Sequence, residues 1–248
     1  MSAIYVLWLR QLKRYVRSRS RMIGSLGQPL MFLLTLAFGF GPTFQKAGGG
    51  SYLQFISPGI IAMAILFSAV FSGMEIIWDR QFGFLKETLV APVSRLEIIL
   101  GRILGGATVA LIQGLLVIVI CIAVGFRIEN LLMLPVALMF MFLIAVLCAS
   151  IGTVIASVLE DMQGFQLIMN FLIMPLFFFS NALFPLEGLP KPLQIIIHLN
   201  PLSYGIDGLR GALTHGYHFG LGPDFLILTV IAMILVGIGS YCFSLIEI

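Results

Sequence analysis

The sequence predicts an all-α integral membrane protein with six transmembrane helices, an N-terminal interfacial amphipathic helix, and short re-entrant external helices between spans five and six. The 248-residue chain is 60% hydrophobic and only 10% charged, whereas a soluble domain carries roughly 25% charged residues. Six mostly apolar runs each reach the length of about 20 residues that a helix needs to cross the hydrocarbon core. The few charged residues cluster between these runs, as they do in the loops of membrane proteins.

The interiors of the six predicted spans are almost free of ionisable side chains. The spans lie near residues 23–41, 56–77, 101–125, 131–158, 165–184 and 225–246. Glu75 and Arg102 stand near span ends, from which we expect both side chains to reach the membrane interface. A proton-driven pump needs a titratable group at depth, so this composition argues against proton coupling. Sodium coupling through backbone carbonyls is left open.

The sequence carries none of the common motifs of catalysis. It contains no His-Glu-x-x-His, no Gly-x-Ser-x-Gly and no Gly-x-x-x-x-Gly-Lys-[Ser/Thr], so we expect no catalytic residues and no ATP hydrolysis by this chain itself. His215 and His218 could share a metal ion on one helical turn, but no third ligand accompanies them. We therefore expect neither a metal site nor a cofactor bound by this chain.

Residues 1–22 are predicted to form an interfacial helix. Ile4, Trp8, Leu12 and Val16 recur every four residues, and the basic residues fall largely on other faces. Such basic amphipathic helices lie in the headgroup plane of a membrane. The alternative is a basic segment that only sets the orientation of the first span.

The distribution of Lys and Arg predicts the orientation. Ten of the 14 precede the first span or lie in the loop 78–102, and the remaining four lie in the loops on the other side. Because positive charge is retained in the cytoplasm, we expect the N-terminus and this loop to be cytoplasmic. An even number of spans returns the C-terminus to the same side. The predicted location is thus the cell (cytoplasmic) membrane, with a multi-pass chain.

The loop 78–102, "WDRQFGFLKETLVAPVSRLEIILGR", reads as one or two short amphipathic helices between two spans. Pro92 disfavours helix before it, and Ser94 followed by Glu97 ahead of an apolar run predicts a capping box that begins the helix of the third span. The preceding "FGFLKETLVA" offers an apolar face that could seat in a groove on a partner, with charges at its rim. The alternative is a solvated hairpin without a further role.

The fifth predicted span combines aromatic, thioether and few polar side chains. We predict that it lines a translocation path, formed by Asn170, Met174, Phe178, Ser180 and Asn181. Walls of this kind suit an amphipathic or lipid-like substrate better than a small ion. The alternative is that the polar groups only form interhelical hydrogen bonds. The external segment 185–224 that follows contains two short helix candidates, "LQIIIHL" and "PLSYGIDGLRGAL", which we expect to dip back into the outer leaflet.

Two of these stretches carry a resemblance to a known family. "DRQFGFLKETLVAPVSRLEIILGRIL" and "LFPLEGLPKPLQIIIHLNPLSYGIDGLRGAL" resemble the permease subunits of ABC-2 type transporters, in particular the drug-efflux branch. The resemblance covers residues 1–248 and implies one transmembrane domain. It also implies that the loop 78–102 docks into an ATP-binding subunit, through Phe84, Leu85, Lys86, Glu87, Leu89, Pro92, Ser94 and Arg95. It further implies an external gate in the segment 185–224, formed by Asn200, Pro201, Tyr204, Asp207 and Arg210.

The resemblance implies an ATP-driven exporter that moves drug-like or lipid-like substrates out of the cytoplasm or the inner leaflet. The expected partners are a separate ATP-binding subunit that carries ATP and magnesium, a second permease copy in a homodimer, and membrane lipid, but no nucleic acid. Drug resistance would be the physiological outcome of such efflux. The alternative is a secondary transporter or channel that is driven by an ion gradient and needs no ATP-binding subunit.

Overall fold

The structure is a computed structural model that describes residues 3–46, 51–84, 93–186, 189–214, 216 and 218–245. Within these ranges the regular structure is entirely helical. The α-helices in chain order are α1 (Ala3–Arg17), α2 (Arg19–Lys46), α3 (Tyr52–Ser72), α4 (Met74–Gln81), α5 (Arg95–Val124), α6 (Leu134–Val158), α7 (Met162–Phe178), α8 (Lys191–Leu199), α9 (Pro201–Thr214) and α10 (Leu221–Ser244). A 3-10 turn at Leu131–Met133 leads into α6.

Five helical segments of the described chain are long and apolar enough to cross a membrane. They are Met22–Lys46, Tyr52–Gln81, Arg95–Val124, Leu131–Val158 and Leu221–Ser244. The fifth predicted span corresponds to α7, which has 17 residues and a length of about 26 Å. It ends at Phe178, three residues after Pro175, rather than near residue 184. The predicted count of six spans rests on this shorter helix.

One end of the helix bundle gathers α1, α4, the start of α5, the loop after α6 and the end of α10. Arg10 bonds Asp79 at 3.0 Å, Arg80 bonds the carbonyl of Ser157 at 3.2 Å, and Arg95 bonds the carbonyl of Ser244 at 2.7 Å. We call this the junction end. The predicted cytoplasmic segments of the chain therefore lie together, as a multi-pass topology requires.

The opposite end, which we call the far end, gathers the starts of α3 and α10, the turn after α5, and the helices α8 and α9. The Tyr52 hydroxyl donates to the carbonyl of Leu183 at 3.0 Å, and the Glu129 amide donates to the carbonyl of Leu213 at 3.1 Å. The helix α7 thus begins at the junction end, where Asp161 caps it, and ends at the far end. Both short helices predicted within the segment 185–224 are present there.

The centre of the bundle is α3, which packs against α2, α5, α6 and α9. By contrast, α7 buries one narrow stripe of side chains, four residues apart, and exposes most of its surface. The stripe consists of Phe165, Met169, Ile173 and Phe177. The helix α2 is also sparsely covered, with only 11% of its most apolar stretch buried. The protein therefore has a dense middle and two helices with open faces.

Small residues permit close helix crossings in this dense middle. A Cβ atom at Gly73 would lie 2.4 Å from the carbonyl oxygen of Gly152, and one at Gly152 would lie 2.2 Å from that of Val70. The α3–α4 junction therefore approaches α6 backbone to backbone. Without a hydrophobic driving force between helices in lipid, such close packing supplies much of their attraction.

The predicted capping box at the start of the third span is confirmed. The Ser94 hydroxyl accepts from the Glu97 amide at 3.2 Å, and the Glu97 carboxylate accepts from the Ser94 amide at 3.4 Å. These two bonds satisfy backbone donors that would otherwise lack partners at the first turn. The helix α5 accordingly begins at Arg95.

The glycine crossing yields the first prediction. Gly152→Ala should lower the free energy of unfolding by about 1–3 kcal/mol, because the new methyl group overpacks a backbone contact. Gly237→Ala in α10 is the matched control, because nothing lies within 4 Å of its added Cβ atom. It should be neutral or stabilising, since Ala favours helix over Gly. Thermal unfolding of both variants in detergent measures the difference, and equal midpoints would contradict the crossing.

Candidate functional site

A buried ion pair lies at the centre of the junction end. The Arg102 Nη2 atom donates to Asp79 Oδ2 at 2.7 Å, and Arg10 Nη2 donates to Asp79 Oδ1 at 3.0 Å. Asp79 and Arg102 are each 5% exposed. A single carboxylate on α4 therefore joins α1 to α5. The expectation that Arg102 reaches the membrane interface is wrong, because its guanidinium is directed inward to Asp79.

The helix α1 is fixed along α5 by further polar contacts. Trp8 Nε1 donates to the Thr108 hydroxyl at 2.9 Å, and the Tyr15 hydroxyl donates to Gln113 Oε1. Burial raises the pKa of the Tyr15 phenol, so it stays protonated as the donor. A Cβ atom at Gly105 would meet the Gln11 amide, so this glycine leaves room for the Gln11 side chain between α1 and α5.

The packed face of α1 differs in part from the predicted apolar stripe. Gln11 and Tyr15 are its buried residues, and they are one helical turn apart. Val16, the last member of the predicted stripe, is 61% exposed. The predicted stripe did not include these two polar side chains because it was drawn from hydrophobic residues alone. The location of α1 at a membrane surface stays a prediction.

Two arginines, one on each side of residues 85–92 in the sequence, bond the ends of two spans. Arg80 donates to the carbonyls of Ser157 and Leu159 at 3.2 and 3.3 Å, at the carboxyl end of α6. Arg95 donates to the carbonyls of Phe243 and Ser244 at 3.4 and 2.7 Å, at the carboxyl end of α10. Positive side chains at these positions satisfy terminal carbonyls and offset the helix dipole.

The predicted contact residues for an ATP-binding subunit are only partly described. Phe84 is 52% exposed, as is expected of a docking residue. Ser94 caps α5 and Arg95 bonds the end of α10, so both have a structural role at the junction end. The other five lie outside the described residues: Leu85, Lys86, Glu87, Leu89 and Pro92.

The predicted path residues fall into two groups. Asn170, Met174 and Phe178 lie on the open face of α7, where Met174 is 45% and Phe178 is 43% exposed. Ser180 and Asn181 are buried in the turn that follows. Asn181 has a φ of 58°, and its carbonyl accepts from Arg210 Nη2 at 2.7 Å. The two groups thus face different surroundings.

The five predicted gate residues come together at the far end. The Asn200 amide donates to the carbonyls of Leu176 and Phe179 at 2.6 and 2.8 Å, and its Oδ1 accepts from the Leu202 amide at 3.0 Å. This side chain therefore ties the end of α7 to the start of α9, which Pro201 opens. The Tyr204 hydroxyl donates to the carbonyl of His198 at 2.8 Å, which ties α9 to α8.

Asp207 and Arg210 continue the same cluster within α9. Asp207 Oδ2 accepts from the amides of His218 and Phe219 at 2.7 and 2.8 Å. The Arg210 guanidinium lies 4.1 Å from the ring centre of Phe55, a cation–π contact. Burial lowers the pKa of Arg210 to about 10, while Asp207 opposes the shift. Arg210 therefore remains charged near neutral pH.

Asp224 joins this cluster and was missed at the sequence level. It lies in the first turn of α10, is fully buried, and is within hydrogen-bonding reach of Asp207. Among the described residues, neither its carboxylate oxygens nor Asp207 Oδ1 finds a hydrogen-bond donor. The sixth span was predicted to begin near residue 225, whereas the helix α10 begins at Leu221 and includes Asp224 in its first turn. We call Asn181, Asp207, Arg210 and Asp224 the Asp207 cluster.

Among the described residues, no three His, Cys, Asp or Glu side chains are grouped so that they could hold a metal ion. His215, one of the two histidines considered as metal ligands, lies outside the described residues. His218 instead contributes its backbone amide to Asp207.

Comparison with known proteins places the chain among membrane transporters. The profile of the family described as ABC-2 type transporter matches residues 2–214. A chain of Cyanophora paradoxa that bears the name transport permease ycf38 is 32% identical over 219 residues, covering 86% of this chain and 74% of that one. The inner membrane transport permease YadH of Escherichia coli strain K12 is 28% identical over 253 residues, covering 99% and 94%. Nodulation protein J of Rhizobium leguminosarum bv. trifolii is 29% identical over 208 residues, covering 83% and 76%.

The buried ion pair yields a prediction about stability. Asp79→Leu alone should cost about 3–5 kcal/mol, because it leaves Arg102 buried without its countercharge. The double variant Asp79→Leu with Arg102→Met should recover much of that loss, since both charges are then removed. Arg10→Gln is the control and should cost at most about 1 kcal/mol, because Arg10 is partly exposed. Unfolding midpoints in detergent test this order, and an additive double variant would contradict it.

The two carboxyl groups of the Asp207 cluster should respond differently to substitution. Asp207→Ala removes the acceptor of two backbone amides and should cost on the order of 3 kcal/mol. Asp224→Asn should be neutral or stabilising, because its amide can donate to the unpaired Asp207 Oδ1. Thermal unfolding of the two variants measures this contrast. A loss for Asp224→Asn as large as for Asp207→Ala would show that the Asp224 oxygens accept bonds of their own.

Proposed function

Because the chain belongs to the ABC-2 type transporter family, we propose that it is the non-catalytic membrane subunit of an ATP-driven exporter. A separate subunit binds and hydrolyses ATP with magnesium, and the present chain provides the path. The observation that carries the proposal is the attachment of the segment around residues 85–92. Arg80 on one side bonds the end of α6, and Arg95 on the other bonds the end of α10.

This attachment suits a segment that receives mechanical work from a partner. A conformational change needs a differential interaction with two states, and a docked ATPase supplies that interaction through nucleotide binding. Displacement of the segment acts on two helix termini through arginine bonds, and on α1 and α5 through Asp79. The exposed rings of Phe82 and Phe84 adjoin the segment and provide apolar contact area for the partner.

The junction end faces the cytoplasm in this proposal. Of the ten Lys and Arg residues predicted to be cytoplasmic, seven lie in α1, α4 and the start of α5, which meet there, and positive charge marks the cytoplasmic side. The end of α10 lies at the same end through its bonds to Arg95, so the N- and C-termini are both cytoplasmic. The Asp207 cluster then lies on the outer side, where its bonds between α7, α8, α9 and α10 close the path as a gate.

A second copy of the chain completes the path. The helix α7 buries only the stripe that begins at Phe165 and leaves Asn170, Met174 and Phe178 open. On α2, the positions of Gly39 and Gly41 have no neighbour within 4 Å of an added Cβ atom, so another helix could approach closely. A homodimer would cover these faces and enclose a passage between the two α7 helices.

The open face of α7 favours amphipathic or hydrophobic cargo. Aromatic rings and a thioether offer apolar contact on this face, the amides of Gln166 and Asn170 are its polar points, and no charge stands among them. Such a wall binds a drug-like or lipid-like molecule by its apolar surface. Export of these compounds from the cytoplasm or the inner leaflet would confer drug resistance on the cell.

One feature of the structure favours the alternative, an ion-gradient-driven transporter or channel. The adjacent buried carboxyl groups of Asp207 and Asp224 are the kind of site at which a proton can bind. The alternative requires transport by the chain alone in vesicles that hold an ion gradient but no nucleotide. The exporter proposal requires such vesicles to be inactive until the ATPase subunit and ATP are added.

The docking proposal is tested by charge substitution in the segment next to Phe84. Leu85→Asp with Leu89→Asp should release the ATPase subunit on co-purification and abolish stimulated ATP hydrolysis, because charge replaces an apolar contact. Leu131→Asp with Leu132→Asp is the matched control, since both leucines are highly exposed but lie away from the junction end. A complex that survives the first pair intact would place the docking surface elsewhere.

A further inference from the structure

A cavity lies at the junction end, separate from the open face of α7. It has a volume of about 360 Å³, near the lower end of the range for small-ligand sites. The helices α1, α2 and α5 and the continuous pair α3–α4 enclose it. Its lining includes Arg14, Gln28, Phe67, Phe71, Glu75 and Trp78.

The cavity changes character along its length. The lining residues Ala64, Phe67, Phe71, Glu75 and Trp78 follow one face of α3 and α4 at intervals of three or four positions. Ala64 and Trp78 are 14 positions apart, or about 21 Å along the helix. The Ala64 end is apolar and aromatic, whereas the Trp78 end carries the charged side chains. A ligand that matches this lining has an apolar chain and a polar head.

The polar end of the cavity carries the Arg14 guanidinium. This group makes no hydrogen bond to the described part of the protein, and Glu75 Oε1 lies 3.9 Å from its Nη1 atom. The guanidinium lies 5.2 Å from the ring centre of Trp78. The Arg14 side chain is 32% exposed, so its donors can reach an anionic acceptor that enters the cavity.

The charges around the polar end of the cavity indicate whether it would bind an anionic or a cationic head group. Arg10, Lys13 and Arg17 on α1 line an adjoining groove together with Arg14. Arg10 is engaged by Asp79, but the others add positive potential at the mouth of the cavity. A cationic head would compete with Arg14 for the Trp78 ring and for Glu75. An anionic head would instead accept from Arg14, beside the Trp78 ring.

We propose that this cavity binds a single-chain anionic amphiphile, with its carboxylate or phosphate at Arg14 and its apolar chain along Phe71 and Phe67 toward Ala64. The ligand could be a free fatty acid or one chain and the head group of an anionic phospholipid, which share this chemistry. The site lies within one protomer and is independent of the proposed path and of the ATP-binding subunit.

The two tryptophans of the chain make the site directly measurable. Trp8→Phe leaves Trp78 as the single tryptophan, and its fluorescence in detergent reports contact with a spin-labelled ligand. Stearate labelled at carbon 5 should quench Trp78 saturably, and stearate labelled at carbon 16 should quench it much less, because that end lies near Ala64. The methyl ester of the carbon-5 probe should bind at least about tenfold more weakly, since it lacks the anionic head.

Two pairs of variants, made in the Trp8→Phe protein, separate a specific site from partition into the detergent micelle. Arg14→Gln should weaken binding by about tenfold or more, whereas Lys13→Gln, which removes the same charge from the adjoining groove, should weaken it by no more than about twofold. Gly24→Leu should fill the cavity and abolish binding, and Gly27→Leu should not, because only Gly24 lines the cavity and neither added Cβ atom meets a neighbour within 4 Å. The Gly24→Leu and Gly27→Leu pair still tests the site if the Arg14→Gln variant unfolds.

The results distinguish a membrane lipid from a free fatty acid as the ligand, or they show that the cavity does not bind an anionic amphiphile. Saturable quenching by phosphatidylglycerol labelled at carbon 5 of one chain identifies a membrane lipid, and quenching by stearate alone identifies a free fatty acid. Equal quenching by the acid and its methyl ester, or equal behaviour within both variant pairs, would overturn the proposal. Because the assay contains neither ATP nor a partner subunit, its failure leaves the exporter proposal untouched.

Discussion

The arrangement of the junction end depends on the need to neutralise one buried guanidinium. Arg102 lies in the second turn of a long apolar helix, where an unpaired charge would be very unfavourable. Asp79 neutralises it from α4, and Arg10 of α1 shares the same carboxylate. The pair therefore holds the two helices on either side of the charged loop at a fixed distance, and it sets the position of α1 along α5. The polar contacts at Trp8 and Tyr15 extend this attachment along α1.

Away from the Asp79–Arg102 pair, helices approach one another most closely where small residues lie at the contact. Gly105 lets α1 approach α5, and Gly73 with Gly152 lets α3 approach α6. The helices α2 and α7 differ from these closely packed helices. Their open faces carry large side chains, or glycines that have no neighbour among the described residues. A lipid-facing helix gains little from hydrophobic burial against another helix, so these open faces are stable in the bilayer. They remain available for a second copy of the chain.

Much of the architecture could be predicted from local patterns, because the responsible interactions are local. The capping box at Ser94 needs only four consecutive residues, and the helix at Pro201 needs only a proline in its first turn and the preceding asparagine. The partner of Arg102 could not be predicted in this way, since Asp79 lies 23 positions away in a loop-like stretch. Asp224 was missed because the sequence Gly-Pro-Asp before an apolar run resembles a loop, whereas α10 begins at Leu221.

The two arginine bonds at the junction end have a mechanical consequence. Arg80 and Arg95 hold the terminal carbonyls of α6 and α10, which are themselves packed side by side. A force applied between Arg80 and Arg95 therefore acts on the carboxyl ends of both helices, and it is transmitted along their axes in the same direction. Helices resist stretching along their axes far better than bending, so a displacement of these carbonyls would reach the far end with little loss, at the turn of α10 that holds Asp224.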